Sequence, residues 1–199
     1  MIEDTAEELP SLFTYLWRFI RNPLVEIKTL PKIKWPTLVA FQFCLSLASV
    51  IISNLLAPFA ISLTNVIISL VIAMVATGLV SLFFYYFFLI LYEKEISFIK
   101  VFTLILFAHI PFAIFHLATY FFPPADLIGL GISAMLMTVG LVENFGIPKK
   151  LAIRLMIALY SIFFVYWGVQ LIARQSYRKS TIPQDLDLIE KEVQDFIEN

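Results

Sequence analysis

Long apolar runs, separated by short clusters of proline, glycine and charge, dominate the chain. Residues 37–92 contain no Asp, Glu, Lys or Arg, and apolar stretches of similar length recur beyond them. A helix rising 1.5 Å per residue needs about 20 residues to cross a hydrocarbon core of about 30 Å, where no water satisfies the backbone, so such runs predict transmembrane helices. Five are predicted, over residues 37–57, 66–92, 98–121, 125–145 and 151–172. The run from Ile61 to Leu91 is too long for one untilted helix and too short for two crossings with a turn. It therefore predicts a single tilted helix entered through Ser62, Thr64 and Asn65. Pro111 removes a backbone hydrogen bond from the third span and predicts a kink, while Phe121-Phe122-Pro123-Pro124 predicts a tight turn. In the fourth, Gly129, Gly131 and Gly140 lower helix propensity, and a re-entrant element is the alternative to a full crossing.

The ends are patterned differently. Leu9, Leu12, Phe13, Leu16, Phe19 and Ile20 fall at helical spacing with Trp17, Arg18 and Arg21 beside them. This predicts an amphipathic helix at the membrane interface that stops at Asn22-Pro23, because the residue before proline is biased away from helical geometry. A juxtamembrane linker anchored by Lys28, Lys32 and Lys34 is the alternative. At the other end Leu186, Ile189, Val193 and Phe196 share one face among acidic neighbours, which predicts a short acidic amphipathic helix or a solvated tail. The division is thus an interfacial segment over 1–36, a transmembrane domain over 37–173 and an acidic tail over 174–199. The fold class is all-α, a polytopic bundle of about five spans with short amphipathic helices at both ends.

Composition agrees with the pattern. Hydrophobic residues make up 60% and charged residues 15% of the 199, against a globular norm of about 45–50% and about 25%. No soluble domain of this size could bury that much apolar surface. Cys44 lies alone inside an apolar run and is expected to pack there. The acidic opening Met1-Ile2-Glu3-Asp4 does not resemble a cleaved signal, so the first span is expected to direct its own insertion.

Lysine and arginine near the spans set orientation. In a five-span chain one side receives Arg18, Arg21, Lys28, Lys32, Lys34, Lys94, Lys100, Lys149, Lys150 and Arg154, and the other only Arg174, Arg178, Lys179 and the distant Lys191. A cytoplasmic N-terminus and a far-side C-terminus are predicted. A re-entrant fourth span would instead place the tail in the cytoplasm.

An ionisable side chain inside a span is costly, so each one is a functional candidate. His109 and His116 stand seven residues apart on nearly one face of the third span, with the kinking Pro111 between them. A metal pair or proton relay needs further ligands at matching depth, and no carboxylate is expected there, so neutral histidines bonded to neighbouring helices are the alternative. Asp126 and Glu143 sit at the ends of the fourth span and read as caps or loop partners. Arg154 is expected to snorkel or to pair with Glu143. Gly129, Gly131, Ser133 and Gly140 make the fourth span rich in small residues, which predicts close helix packing. No phosphate-cradling loop, zinc cluster or nucleophilic triad occurs in the water-exposed segments, so no enzyme, cofactor or nucleic-acid partner is expected.

Arg21-Asn22-Pro23-Leu24 before the membrane, SFIKVFTLILFAHIP over Ser97–Pro111 and the closing span around Ala158 to Gln170 resemble the Yip family of Ypt/Rab-interacting proteins. The resemblance implies five spans with a cytoplasmic N-terminus and, for eukaryotic members, binding of Rab GTPases in vesicle traffic. The short segment before the first span departs from those members, which weighs against GTPase binding and points to a prokaryotic member in the plasma membrane. The expected function is a non-enzymatic scaffold or interaction protein, in trafficking or envelope organisation, whose partners are the bilayer, other membrane proteins or further copies of itself. A small transporter or channel subunit using His109, Pro111 and His116 is the alternative, and an assembly partner of a larger membrane enzyme is a third.

Overall fold

The computed structural model describes residues 2–56, 63–93, 95–119, 121–122 and 124–169. The predicted acidic tail, the end of the last span and the entry at Ser62 lie outside them. The described residues form helices and connecting turns, with no strand among them: α1 (Ile2–Arg21), α2 (Pro23–Glu26), α3 (Trp35–Leu56), α4 (Leu63–Tyr92), α5 (Phe98–Ala118), α6 (Ala125–Phe145) and α7 (Lys149–Val169). The five from α3 to α7 are long and apolar enough to cross a membrane. At 30 residues α4 is ~45 Å long, which exceeds the hydrocarbon thickness and requires tilt or protruding ends. The fourth run is one continuous helix, α6, ended by Gly146 in the left-handed conformation at φ 63°. There the Gly146 and Ile147 amides donate back to Val142 and Leu141, satisfying carbonyls that the helix end leaves open.

The chain divides into two compact units, Met1–Ile157 and Ala158–Asn199. In the first, α5 is the central element, with every residue from Val101 to Ala108 buried. Against it α6 lays a stripe at three- and four-residue spacing through Ala125, Gly129, Ser133, Leu136 and Gly140. Among the described side chains of α4 a narrow line is buried, Thr77, Ser81, Phe84 and Phe88, while Ile67, Val71, Leu79 and Phe83 face outward. Outward apolar faces suit lipid, which is as apolar as the interior. Cys44 is exposed on α3, so it faces outward and is not the packing residue expected from its surroundings. In the second unit the described residues are the closing turns of α7, where Phe164 stacks with Trp167 at 6.4 Å.

Within the first unit, the segment ahead of α3 is folded against α5 and α6. α1 ends at Arg21, before Asn22-Pro23, and Arg18 and Arg21 in its last turn complement the helix dipole. Its apolar residues divide between two faces. Leu12, Tyr15 and Phe19 are buried, with Tyr15 edge-on to Phe107 of α5 at 4.8 Å and Phe19 at 5.6 Å from the same ring. Phe13, Trp17 and Ile20 point outward, and the Arg21 guanidinium lies 4.7 Å over the Trp17 ring.

Candidate functional site

Pro111 carries no N–H, so α5 lacks one hydrogen bond of its ladder in a region where water cannot replace it. At the next residue the Phe112 amide donates to Ser133 Oγ of α6 at 3.2 Å. Glycines on either side of that hydroxyl set the closeness of the two helices. A methyl at Gly129 would come within 2.6 Å of Phe115 Cβ and 3.1 Å of Phe112 Cα, and one at Gly140 would collide with the buried Leu104 side chain. Gly131 is half-buried on the same helix.

The two histidines flank Pro111 on the outward side of α5. His109 lies 5.0 Å from the Phe112 ring, and Phe112 stacks on His116 at 5.7 Å, giving an aromatic line along one face. Contrary to the expectation that no carboxylate stands nearby, His116 Nδ1 is 2.8 Å from Asp126 Oδ1. The physical reason is the hairpin. His116 and Asp126 are each five residues from Phe121 at the centre of the turn, so antiparallel packing of α5 and α6 sets them opposite each other. Their equal spacing from Phe121 was the available signal. His109 makes no hydrogen bond among the described residues, which differs from the expected bond to a neighbouring helix. No group of three or more His, Cys, Asp or Glu side chains able to hold a metal forms among the described residues. The His116–Asp126 pair ties the last turn of α5 to the first turn of α6.

At the opposite end of that hairpin, Asn144 makes a connection that sequence reading missed. Its Nδ2 donates to the Ile27 carbonyl at 2.8 Å and to Gly140 O at 3.1 Å, and the Leu30 amide reaches its Oδ1 at 3.5 Å. Lys100 Nζ donates to the Asn144 carbonyl at 2.9 Å and lies 5.3 Å over the Phe145 ring. Tyr15 Oη donates to the Glu26 carbonyl at 2.8 Å, and Arg18 Nε is 3.8 Å from the Glu26 carboxylate. Burial raises the Tyr15 phenol well above its ordinary pKa of 10.0, the Glu26 charge adds to the shift, and Arg18 opposes it. Glu143 and Arg154 are both exposed, and no ion pair joins them among the described residues. Their expected pairing is absent because Asn144, not Glu143, points inward.

A second polar centre, also missed, joins α3 to α4. Buried Gln42 donates through Nε2 to Ser46 Oγ at 3.1 Å and to Thr77 Oγ1 at 3.0 Å. Thr77 and Ser81 in turn donate to Ala73 O and Thr77 O of their own helix. Gln42 Oε1 is buried with no hydrogen-bond partner among the described residues. The signal was the one glutamine in a run without charge.

Compared with known proteins, residues 17–170 match the family model described as the Yip1 domain. No curated protein and no solved structure matches the chain.

Proposed function

The chain belongs to the Yip1 domain family and is an integral, multi-pass membrane protein, and from that premise we propose that it acts as a non-enzymatic scaffold that associates with other membrane proteins. One observation carries this reading, the use to which the polar side chains are put. Gln42 joins α3 to α4, Ser133 joins α6 to α5 just after Pro111, and Asn144 joins the N-terminal segment to the end of α6. Each is a tether between segments, and the wide apolar faces of α4 remain turned outward for lipid or for another membrane protein. On this reading the N-terminus is cytoplasmic and the C-terminus lies on the far side, which the lysine and arginine count supports. Photo-crosslinking residues introduced at Val71, Leu79 and Phe83 are expected to give a reproducible protein adduct on one face. Lipid adducts alone at all three positions, with no envelope or trafficking phenotype on deletion, would overturn the scaffold reading. A reporter fused after Asn199 is expected to be active only on the far side.

The His116–Asp126 contact, with His109 seven residues along the same helix, favours a second reading as a small transporter or channel subunit. In proteoliposomes this reading expects a flux that His109→Ala and His116→Ala abolish. A flux indifferent to both changes removes its support.

A further inference from the structure

We propose that the end of the first unit where α3, α5 and α7 begin is a binding site for the headgroup of an anionic phospholipid in the adjoining leaflet. The proposal rests on the multi-pass assignment alone and is independent of the scaffold and transporter readings.

The Asn144 tether places residues 27–30 against the end of α6, three residues before α7 starts at Lys149. Trp35 contacts Phe98 at 5.7 Å and Phe102 at 4.9 Å, which sets the start of α3 beside the start of α5. The same end therefore gathers Lys28, Lys32 and Lys34 from one segment with exposed Lys149 and Lys150 from another, residues more than 110 apart in sequence. Lys100 joins them from α5 but is already engaged with the Asn144 carbonyl. The acidic groups of this end are Glu26, turned toward Arg18, and exposed Glu93, Glu95 and Glu143, so cations predominate.

Two physical features point to an anionic lipid. Lys149 and Lys150 occupy the first turn of α7, where the positive end of the helix dipole disfavours cations, so their charge adds to the dipole instead of offsetting it. Such an end calls for negative counter-charge from outside the chain. The exposed Trp35 ring stands at this same end, against Phe98 and Phe102 at the start of α5. An exposed tryptophan next to clustered lysines at the start of spanning helices is the arrangement that basic juxtamembrane segments use toward acidic leaflets.

The test uses the full chain purified in neutral detergent, titrated with phosphatidylglycerol or phosphatidylcholine and read by native mass spectrometry. Phosphatidylglycerol is expected to be retained in preference. A basic residue near an anionic surface is worth roughly fivefold in binding, so the triple change Lys32→Gln, Lys149→Gln, Lys150→Gln is expected to cut that preference by roughly tenfold or more. Arginine at the same three positions is expected to keep it. Equal retention of the two lipids, or a preference that survives the glutamine changes, overturns the proposal. Should the glutamine variant fail to insert, salt decides on the unaltered protein: preference lost when ionic strength rises roughly tenfold supports the site, and preference unchanged overturns it. Inorganic phosphate that displaces the lipid better than chloride of equal ionic strength would mark a free-anion site and overturn the assignment to lipid.

Discussion

At Gly129 the neighbouring atoms are the Cβ of Phe115 and the Cα of Phe112, neither of which can rotate away, whereas nothing lies within 4 Å of a methyl placed at Gly78. The same substitution therefore has opposite expected effects at the two positions. Gly129→Ala is expected to destabilise the bundle by about 1–3 kcal/mol through overpacking. Gly78→Ala is expected to be neutral or stabilising by up to about 1 kcal/mol, from helix propensity alone. Thermal unfolding in one detergent compares them directly, and equal effects would mean that α5 and α6 do not approach as described. Tyr15 makes a different prediction. Its phenol is held protonated by burial and by the Glu26 charge, so the folded state keeps a proton that the unfolded chain releases near pH 10.0. Stability from this group is fully present below that pH and is lost as pH rises toward the folded pKa. Tyr15→Phe is expected to flatten the alkaline fall in stability while losing about 1 kcal/mol at neutral pH with the Glu26 carbonyl bond. An unchanged alkaline limb would show that another group controls it.

Within the α5–α6 hairpin, Pro111 and the hydroxyl beside it are one device. Ser133→Ala removes the acceptor that α6 offers the Phe112 amide in a dry environment, at an expected cost of about 1–3 kcal/mol. Pro111→Ala restores the N–H that α5 lacks and lets the helix complete its own ladder, so the serine change is expected to cost clearly less in that background. A double-mutant cycle measures the coupling, and additive losses would separate the hydroxyl from the proline. Much of this hairpin was legible in the chain. Pro111, the Pro123-Pro124 turn and the small residues of the fourth span each carry a local rule about backbone geometry or approach distance. The His116–Asp126 contact was not legible by depth alone, because depth depends on where the hairpin turns.

For the molecule as a whole, the N-terminal segment behaves as part of the membrane domain. Tyr15 and Phe19 pack on Phe107, and Asn144 fastens Ile27 to the end of α6. Removing the Asn144 side chain orphans the Ile27 carbonyl and the Leu30 amide together. Asn144→Ala is therefore expected to raise hydrogen exchange and protease cleavage over residues 22–34 while leaving the centre of α5 protected. Loosening of α5 to the same degree would mean that the segment is integral to folding instead of being fastened onto a formed bundle.

Membrane residence and the set of five long apolar helices were determined by the sequence, because the bilayer imposes its demands on each run separately. A stretch must be long, apolar and self-bonded whatever its neighbours are. Only the tertiary structure decided which face of each helix is inside and which polar groups meet. On α4, apolar on all sides, outward Val71 and buried Phe84 look alike in sequence, since lipid and protein interior offer similar surroundings and periodicity loses its meaning. Pairs such as Gln42 with Thr77, or Asn144 with Ile27, span 35 and 117 residues. Their meeting depends on helix rotation and on the path of the chain between them, which no local rule contains.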